Sequence, residues 1–521
     1  MAVTVIIFLL PMGSVLLRAR NLTGTFTDPY TWRLLGFTVL QASLSALLSV
    51  VLALPFCVFF SRYSFPMRRA LLTISDAAFA LPAVLAALGF VIWYGNNGIL
   101  NNILGTLTNG KANLRILYSF KAIILAHVYL NFPVALSLIT GALSSMPRTE
   151  ENASQLLGAS ELKTFFRITL PKAMGTIVSA FTLIFLFCFP SFLIIMTLGG
   201  NPRFFTLEAE IYKRTYTDVN IGSSASLAVF SFLVMALLLL ATGYGREEKK
   251  ARRGKHHLIV ATGRRKALAI ILSALIILFM APPMLAILYR AFFTRDDVFT
   301  LKAWESIIHR ANSGAGTSLG AIANSLIIAT LAAGAATAMA TRISIAAVRS
   351  RMRFLPLLTS LPMAVGSVSM GLGFAILAAK LPARNLALSF ILVLLAHTVV
   401  IMPFAVRTLL PGARSIPTRL PLAAQTLGSD NRRIFRQIES PMLDSYRKRA
   451  FAFAFALSLG EVNATLALGE GRVTTIPVLI YKLINQYNYQ GASALAVVLL
   501  AIAITMFAIG ESSQETQHEL S

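Results

Sequence analysis

Long apolar blocks separated by short polar segments, many of them basic, run along most of this chain. The blocks fall near residues 3–17, 34–60, 70–94, 118–141, 174–197 and 221–243. After a basic stretch they resume near 267–290, 317–341, 355–378, 386–408, 449–467 and 488–510. About 20 apolar residues cross a hydrocarbon core of roughly 30 Å. Backbone groups in lipid must find partners within their own segment, so each block is predicted to be helical. The pattern predicts an all-α, polytopic membrane protein with about twelve transmembrane helices. The first block, Val3 to Leu17, is short for a span. Either it crosses with little tilt and thins the bilayer, or the chain starts upstream of Met1.

Composition agrees with the pattern. Of the 521 residues 56% are hydrophobic and 13% charged, against about a quarter charged in soluble domains. A net charge of +25 raises the question of nucleic acid. The Lys and Arg residues, however, sit in short loops between apolar blocks, with no basic recognition face, which excludes that class. The basic stretches Arg62–Arg69, Arg246–Lys266, Arg342–Arg353 and Arg432–Arg449 share one side if spans alternate. That side is assigned to the cytoplasm, with both termini there as well. The polar tail 511–521 reads as a disordered end. Cys57 and Cys188 lie inside apolar blocks and read as small buried hydrophobes rather than a disulfide or a metal site. The sequence carries no phosphate-cradling G-x-x-x-x-G-K-[ST], no dinucleotide fingerprint and no metal-ligand cluster, so it predicts a protein that hydrolyses no ATP by itself.

A repeat reorganises the picture. Ala126-His127 recurs as Ala396-His397, 270 positions later. The same offset matches Pro133 with Pro403, Pro147 with Pro417, Ala153 with Ala423, Gln155 with Gln425 and Gly158 with Gly428. It continues through Phe165/Phe435, Ile168/Ile438, Pro171/Pro441 and Gly199/Gly469, and then Ile211-Tyr212-Lys213 meets Ile480-Tyr481-Lys482 one residue out of step. Coincidence of His, Gln, Gly and three prolines in one register is not a by-product of apolar composition. The chain divides into a first transmembrane half (1–243), a basic linker (244–266), a second transmembrane half (267–510) and the tail (511–521), in two pseudo-symmetric six-helix halves of the same orientation.

The best-matched segment is a loop: ENASQLLGASELKTFFRITLP (151–171) and LAAQTLGSDNRRIFRQIESP (422–441). Each has small residues, a Gly, an apolar pair, and a Pro thirteen positions after the Gly. This pattern predicts a short helix, a glycine break, a second short amphipathic helix, and a proline in the first turn of the next span, where its missing N–H has no partner to lose.

This loop resembles the "EAA" loop of binding-protein-dependent ABC importer permeases, through Ala153, Gly158, Ile168, Leu170 and Pro171 in the first half and Ala423, Ala424, Gly428, Ile438 and Pro441 in the second. The family's Glu falls on Asn152 and Leu422, with Glu151 adjacent to the first, and Leu-Pro becomes Ser440-Pro441. A further stretch, 456–487, is similar to the C-terminal region of the permeases for thiamine, ferric iron, and molybdate or sulfate; fusion of both halves resembles the first two types. The resemblance implies that the loops dock on a separate ABC ATPase, in two copies, which would bind the ATP and magnesium; this chain would carry no cofactor. It also implies a periplasmic binding protein and a small-molecule solute as partners. The loop 95–110 is long enough to contact such a protein, and 312–316 reads as another outer loop.

Glu461 lies near the middle of a span, where a charge costs about 2.5–3.5 kcal/mol on insertion scales. Its counterpart is Ser191. Both, with Asp76 in the third block, are candidates for the translocation pathway; an internal structural hydrogen bond is the alternative for Glu461. His127 and His397 read as satisfied core or helix-capping histidines, and His256-His257 as part of a solvated charge run. An ion-gradient-driven secondary transporter is the main rival reading, and a membrane scaffold without transport the second. The first would need more embedded ionisable groups than Asp76 and Glu461.

Overall fold

The apolar blocks do become helices, but several are broken where hydropathy alone reads them as continuous. The computed structural model describes residues 2–78, 81–111, 113–241, 258–308, 317–349, 361–380, 385–468 and 472–518. In the first half the principal helices are α1 (Ala2–Arg18), α2 (Pro29–Arg62), α3 (Arg68–Ala78), α4 (Ala83–Tyr94) and α5 (Phe120–Ser145). They continue with α6 (Thr149–Leu156), α7 (Leu170–Cys188), α8 (Leu207–Tyr216) and α9 (Ile221–Ala241). In the second half they are α10 (Gly263–Phe292), α11 (Ser318–Arg349), α12 (Ser367–Ala378), α13 (Leu386–Ser415) and α14 (Arg419–Thr426). The series ends with α15 (Asp444–Leu459), α16 (Asn463–Leu468), α17 (Ile476–Asn485) and α18 (Tyr489–His518). Among the described residues, nine helical segments are long and apolar enough to cross a membrane, and shorter apolar helices at Ile7–Arg18, Ser367–Ala378 and Ile476–Asn485 stand beside them, where twelve unbroken blocks were expected.

The difference has local causes. The third expected span divides between α3 and α4, and Pro82 takes an extended conformation (φ −58°, ψ 128°) that no helix accommodates. The fifth stops at Cys188, two residues before Pro190, and resumes as a π-turn at Ile195–Gly199. The eleventh stops at Leu459, and a new short helix, α16, starts at Asn463. Of the ninth, the described part is a 3₁₀ turn at Leu361–Ala364 followed by α12, only 12 residues long. The two breaks at 190–191 and 460–461 are repeat equivalents, so this interruption belongs to the architecture. At the other extreme α18 runs on to His518, so residues 511–518 are helical rather than a disordered end; their Glu and Gln residues are good helix formers.

In each half one three-helix core forms, α2 with α5 and α7, and α11 with α13 and α15. The first helix of each half leaves its own core and packs on the short helix of the other: α1 on α12, and α10 on α4. Glycine makes both crossings possible. A Cβ at Gly89 would lie 2.7 Å from the Pro283 carbonyl oxygen, and one at Gly373 would lie 2.7 Å from that of Pro11. Small residues allow backbones to approach where lipid offers no hydrophobic drive for association. Hydrogen bonds add to the contact: Ser14 Oγ donates to the Gly373 carbonyl at 2.8 Å, and Tyr129 Oη to that of Met280 at 2.8 Å. Gly89→Leu or Gly373→Leu is therefore expected to separate a crossing helix, at a cost of about 3 kcal/mol or more. A lowered thermal midpoint in detergent would show it, and an unchanged midpoint would contradict the crossing.

Within the linker, Ile259–Val260 pairs in parallel with Tyr63–Ser64, and α10 begins at Gly263, four residues before the expected start of the second half. Cys57 and Cys188 are buried free thiols. Residues 246–257 with the His256-His257 pair, 312–316, 350–353, 355–360 and Gly469 lie outside the described residues, as does the side chain of Asp76 in α3.

Candidate functional site

The two loops singled out by the repeat have one architecture. The helix α6 ends at Gly158 and α14 at Gly428, with φ +86° and +82°. In both, the glycine N–H donates to the carbonyl of the Gln three residues back (Gln155, 2.9 Å; Gln425, 3.0 Å), and Ala153 and Ala423 accept from Leu157 and Leu427. A left-handed residue here ends the helix and turns the chain, which glycine does without steric cost. A short helix follows, Glu161–Thr164 or Asn431–Ile434, each started by a side-chain cap: Ser160 Oγ accepts from Lys163 N–H and Asp430 Oδ1 from Arg433 N–H. A π-turn holding Ile168 or Ile438 then leads into a helix with Pro171 or Pro441 in its first turn. Exposed and buried positions coincide at every step over 151–170 and 421–440. At the tip of each loop stands an apolar side chain that the chain leaves uncovered, Leu157 at 88% and Leu427 at 86% exposure.

The loops are tied to the bundle by different carboxylates. In the first half Glu151 accepts from Arg62, the last residue of α2, at 3.2 Å and from the Thr169 hydroxyl at 2.5 Å. In the second half Glu151 has Pro421 as its counterpart and Thr169 has Glu439. There Glu439 holds Arg349, the last residue of α11, through two bonds of 2.8 and 2.7 Å. A salt bridge to the end of a core helix is thus made by Glu151 in the first half and by Glu439, at a non-equivalent position, in the second.

Between the halves lies a cavity of about 300 Å³. Repeat equivalents line it from both sides: Leu130 with Val400, Val134 with Phe404, Pro190 with Gly460, and Ser191 with Glu461. Ser191 Oγ lies 2.8 Å from His127 Nε2, whose Nδ1 lies 3.3 Å from Ser45 Oγ. His397 is likewise bonded at both ring nitrogens, to Ser458 and Thr465, and buried. Both histidines are therefore satisfied core residues. Glu461 and Ser191, placed in one pathway from sequence, do share this cavity; α3, with Asp76, supplies none of its described lining.

A residue that sequence reasoning passed over is Glu208 in α8, 1% exposed. Its Oε1 accepts from the Ser369 hydroxyl at 2.6 Å and its Oε2 from the Ser369 N–H at 3.2 Å, at the start of α12 in the other half. The first N–H groups of a helix lack partners within it, and this side chain supplies one. The available signal was the matched Ile-Tyr-Lys of 211–213 and 480–482, which marks this stretch as an element rather than a loop.

Residues 45–245 match the family model described as the binding-protein-dependent transport system inner membrane component. Over 501 residues the chain is 28% identical to the thiamine transport system permease protein of Brucella abortus (strain 2308), covering 94% of this chain and 89% of that protein. The corresponding protein of Escherichia coli (strain K12) is 28% identical over 511 residues, covering 94% and 90%. A probable sulfate transport system permease protein of Helicosporidium sp. subsp. Simulium jonesii is 27% identical over 243 residues, 45% of this chain but 88% of that protein, so a single half suffices to match it. The chain thus resembles inner membrane permeases of binding-protein-dependent transport systems over most of its length, and its helical membrane fold agrees with that likeness.

Proposed function

We propose that this chain is the membrane permease subunit of an ATP-driven importer, moving a small solute from periplasm to cytoplasm and driven by a separate ATPase dimer that docks on 151–171 and 422–441. The observation that carries this is the pair of loops: one architecture built twice, each ending in an uncovered leucine that a partner surface would bury. In this reading Ala153, Gly158, Ile168 and Pro171, with Ala423, Gly428, Ile438 and Pro441, shape the docking elements. The loop face and both termini are cytoplasmic, and a periplasmic binding protein delivers solute to the opposite face. ATP and magnesium belong to the ATPase. Thiamine, which names the relatives spanning 94% of this chain, is the first solute to test.

Co-purification tests the reading. The tagged chain, gently extracted, is expected to bring an ATPase with it, and the double variant Leu157→Asp, Leu427→Asp to lose most of it, about tenfold or more, because each apolar anchor becomes a charge to be desolvated. Absence of any ATPase, with uptake that responds to a proton gradient, would replace this proposal with the secondary transporter.

A further inference from the structure

The cavity between the halves has a lopsided electrostatic character. Its described lining is apolar apart from His127, Asn131 and Ser191 on one side and Ser367, Glu461 and Asn463 on the other. His127 is committed to Ser45 and Ser191, and Asn131 donates to the His127 carbonyl at 2.8 Å. The opposite side is less complete. Oε1 of Glu461 accepts from the N–H groups of Asn463 and Ala464 at 2.8 and 3.1 Å, at the head of α16. Oε2 has the Ser367 hydroxyl at 3.4 Å, beyond the range of a good hydrogen bond. Asn463 Oδ1 is buried and has no hydrogen-bond partner. Both residues line the cavity, and each keeps an acceptor oxygen with unused capacity. No Lys, Arg or second carboxylate is among the described residues that line it. Phe187 of the first half and Phe404 of the second meet across the boundary with ring centroids 5.7 Å apart, and aromatic faces attract cations.

We propose that the cavity binds a small organic cation during transport, with the Glu461 carboxylate as counter-charge, Asn463 Oδ1 as a second acceptor, and Phe187 and Phe404 as an aromatic wall. The proposal rests on the importer reading and adds the charge class of its solute. Of the solutes named in the relatives, it favours thiamine, with a permanently charged thiazolium ring and a hydrogen-bond-donating amine, over sulfate. An anion beside an uncompensated carboxylate is repelled, the more so where water is scarce. A volume of about 300 Å³ is at the low end for sites of this kind, ~300–1,000 Å³.

The test is uptake of radiolabelled thiamine into proteoliposomes holding the chain with its ATPase and binding protein. Wild type is compared with Glu461→Gln, Glu461→Asp and Asn463→Leu, each checked for insertion and thermal midpoint. Glu461→Gln is expected to raise the half-saturating thiamine concentration or cut uptake about tenfold, Glu461→Asp to retain most uptake, and Asn463→Leu to lose about threefold. Glu461→Gln working as well as wild type overturns the proposal. If that variant fails to insert, unchanged uptake by Asn463→Leu overturns it instead. A wild-type chain that moves sulfate and not thiamine overturns the charge assignment while leaving the importer reading intact. One that moves neither solute, and recruits no ATPase, removes the reading beneath it.

Discussion

Replacing Glu439 by threonine, the residue at the equivalent first-half position, is expected to uncouple the second loop from the bundle. Glu439 is 3% exposed and grips the Arg349 guanidinium at both oxygens, fixing the end of α11 to the π-turn behind the loop. Arg349 is about a third exposed, with a side-chain value of 32%. The pair therefore ranks between exposed ones, worth ~0–1 kcal/mol, and buried ones, whose rupture costs ~3–5 kcal/mol; about 2 kcal/mol is expected. The larger effect falls on function. If ATPase closure moves both loops, a loop free to shift against α11 transmits less of that movement, and solute-stimulated ATP hydrolysis should fall about tenfold. The first half supplies the control. There the carboxylate sits on the loop helix as Glu151 and the threonine on the π-turn as Thr169. Glu439→Thr combined with Pro421→Glu rebuilds that arrangement in the second half, with the new glutamate in the first turn of α14, where an acidic residue suits the helix. Recovery of at least half of the stimulated hydrolysis identifies the tie itself as what matters. A single variant that couples normally refutes it.

The same comparison shows what the sequence made legible. Gly158 and Gly428 stood out because a left-handed turn needs a glycine, and the repeat printed it twice. The loops, the two halves and the cavity position of Glu461 with Ser191 follow from that register. The broken spans did not show, because hydropathy measures composition and is blind to backbone continuity; Pro82, Pro190 and Gly460 interrupt blocks that remain apolar throughout. The crossing of α1 and α10 was hidden for a different reason. Its markers, Gly89 and Gly373, sit in a repeated Leu-Gly-Phe at 88–90 and 372–374, 284 positions apart and so outside the 270 register. The ties to Arg62 and Arg349 were hidden by exchange, since the carboxylate changed elements between the halves. Only the contact is shared, and a contact is invisible to alignment.

Glu208 and Gly366 should behave as one unit when mutated. Gly366 has an ordinary φ of −62°, so no backbone strain demands a glycine there. What excludes a side chain is Glu208: a Cβ at 366 would overlap its carboxyl carbon and both of its oxygens. Glutamate is flexible and could swing aside, but only by releasing the Ser369 hydroxyl and N–H, both within a buried residue. A buried donor left open costs ~1–3 kcal/mol, so Gly366→Ala is expected to destabilise by about 2–4 kcal/mol through a residue it never replaces. Glu208→Ala removes the same bonds directly and should cost a similar amount. Their combination should then cost little more than Glu208→Ala alone, a coupling of about 2 kcal/mol or more in a double-mutant cycle read from denaturation midpoints in detergent. Additive losses would mean that the glycine is required for another reason. The pair also bears on transport, because Ser367, one residue past Gly366, stands in the cavity wall beside Glu461. Loosening the start of α12 should therefore weaken solute handling in all three variants alike, ranking uptake by stability, whereas a change at Glu461 should alter uptake at unchanged stability.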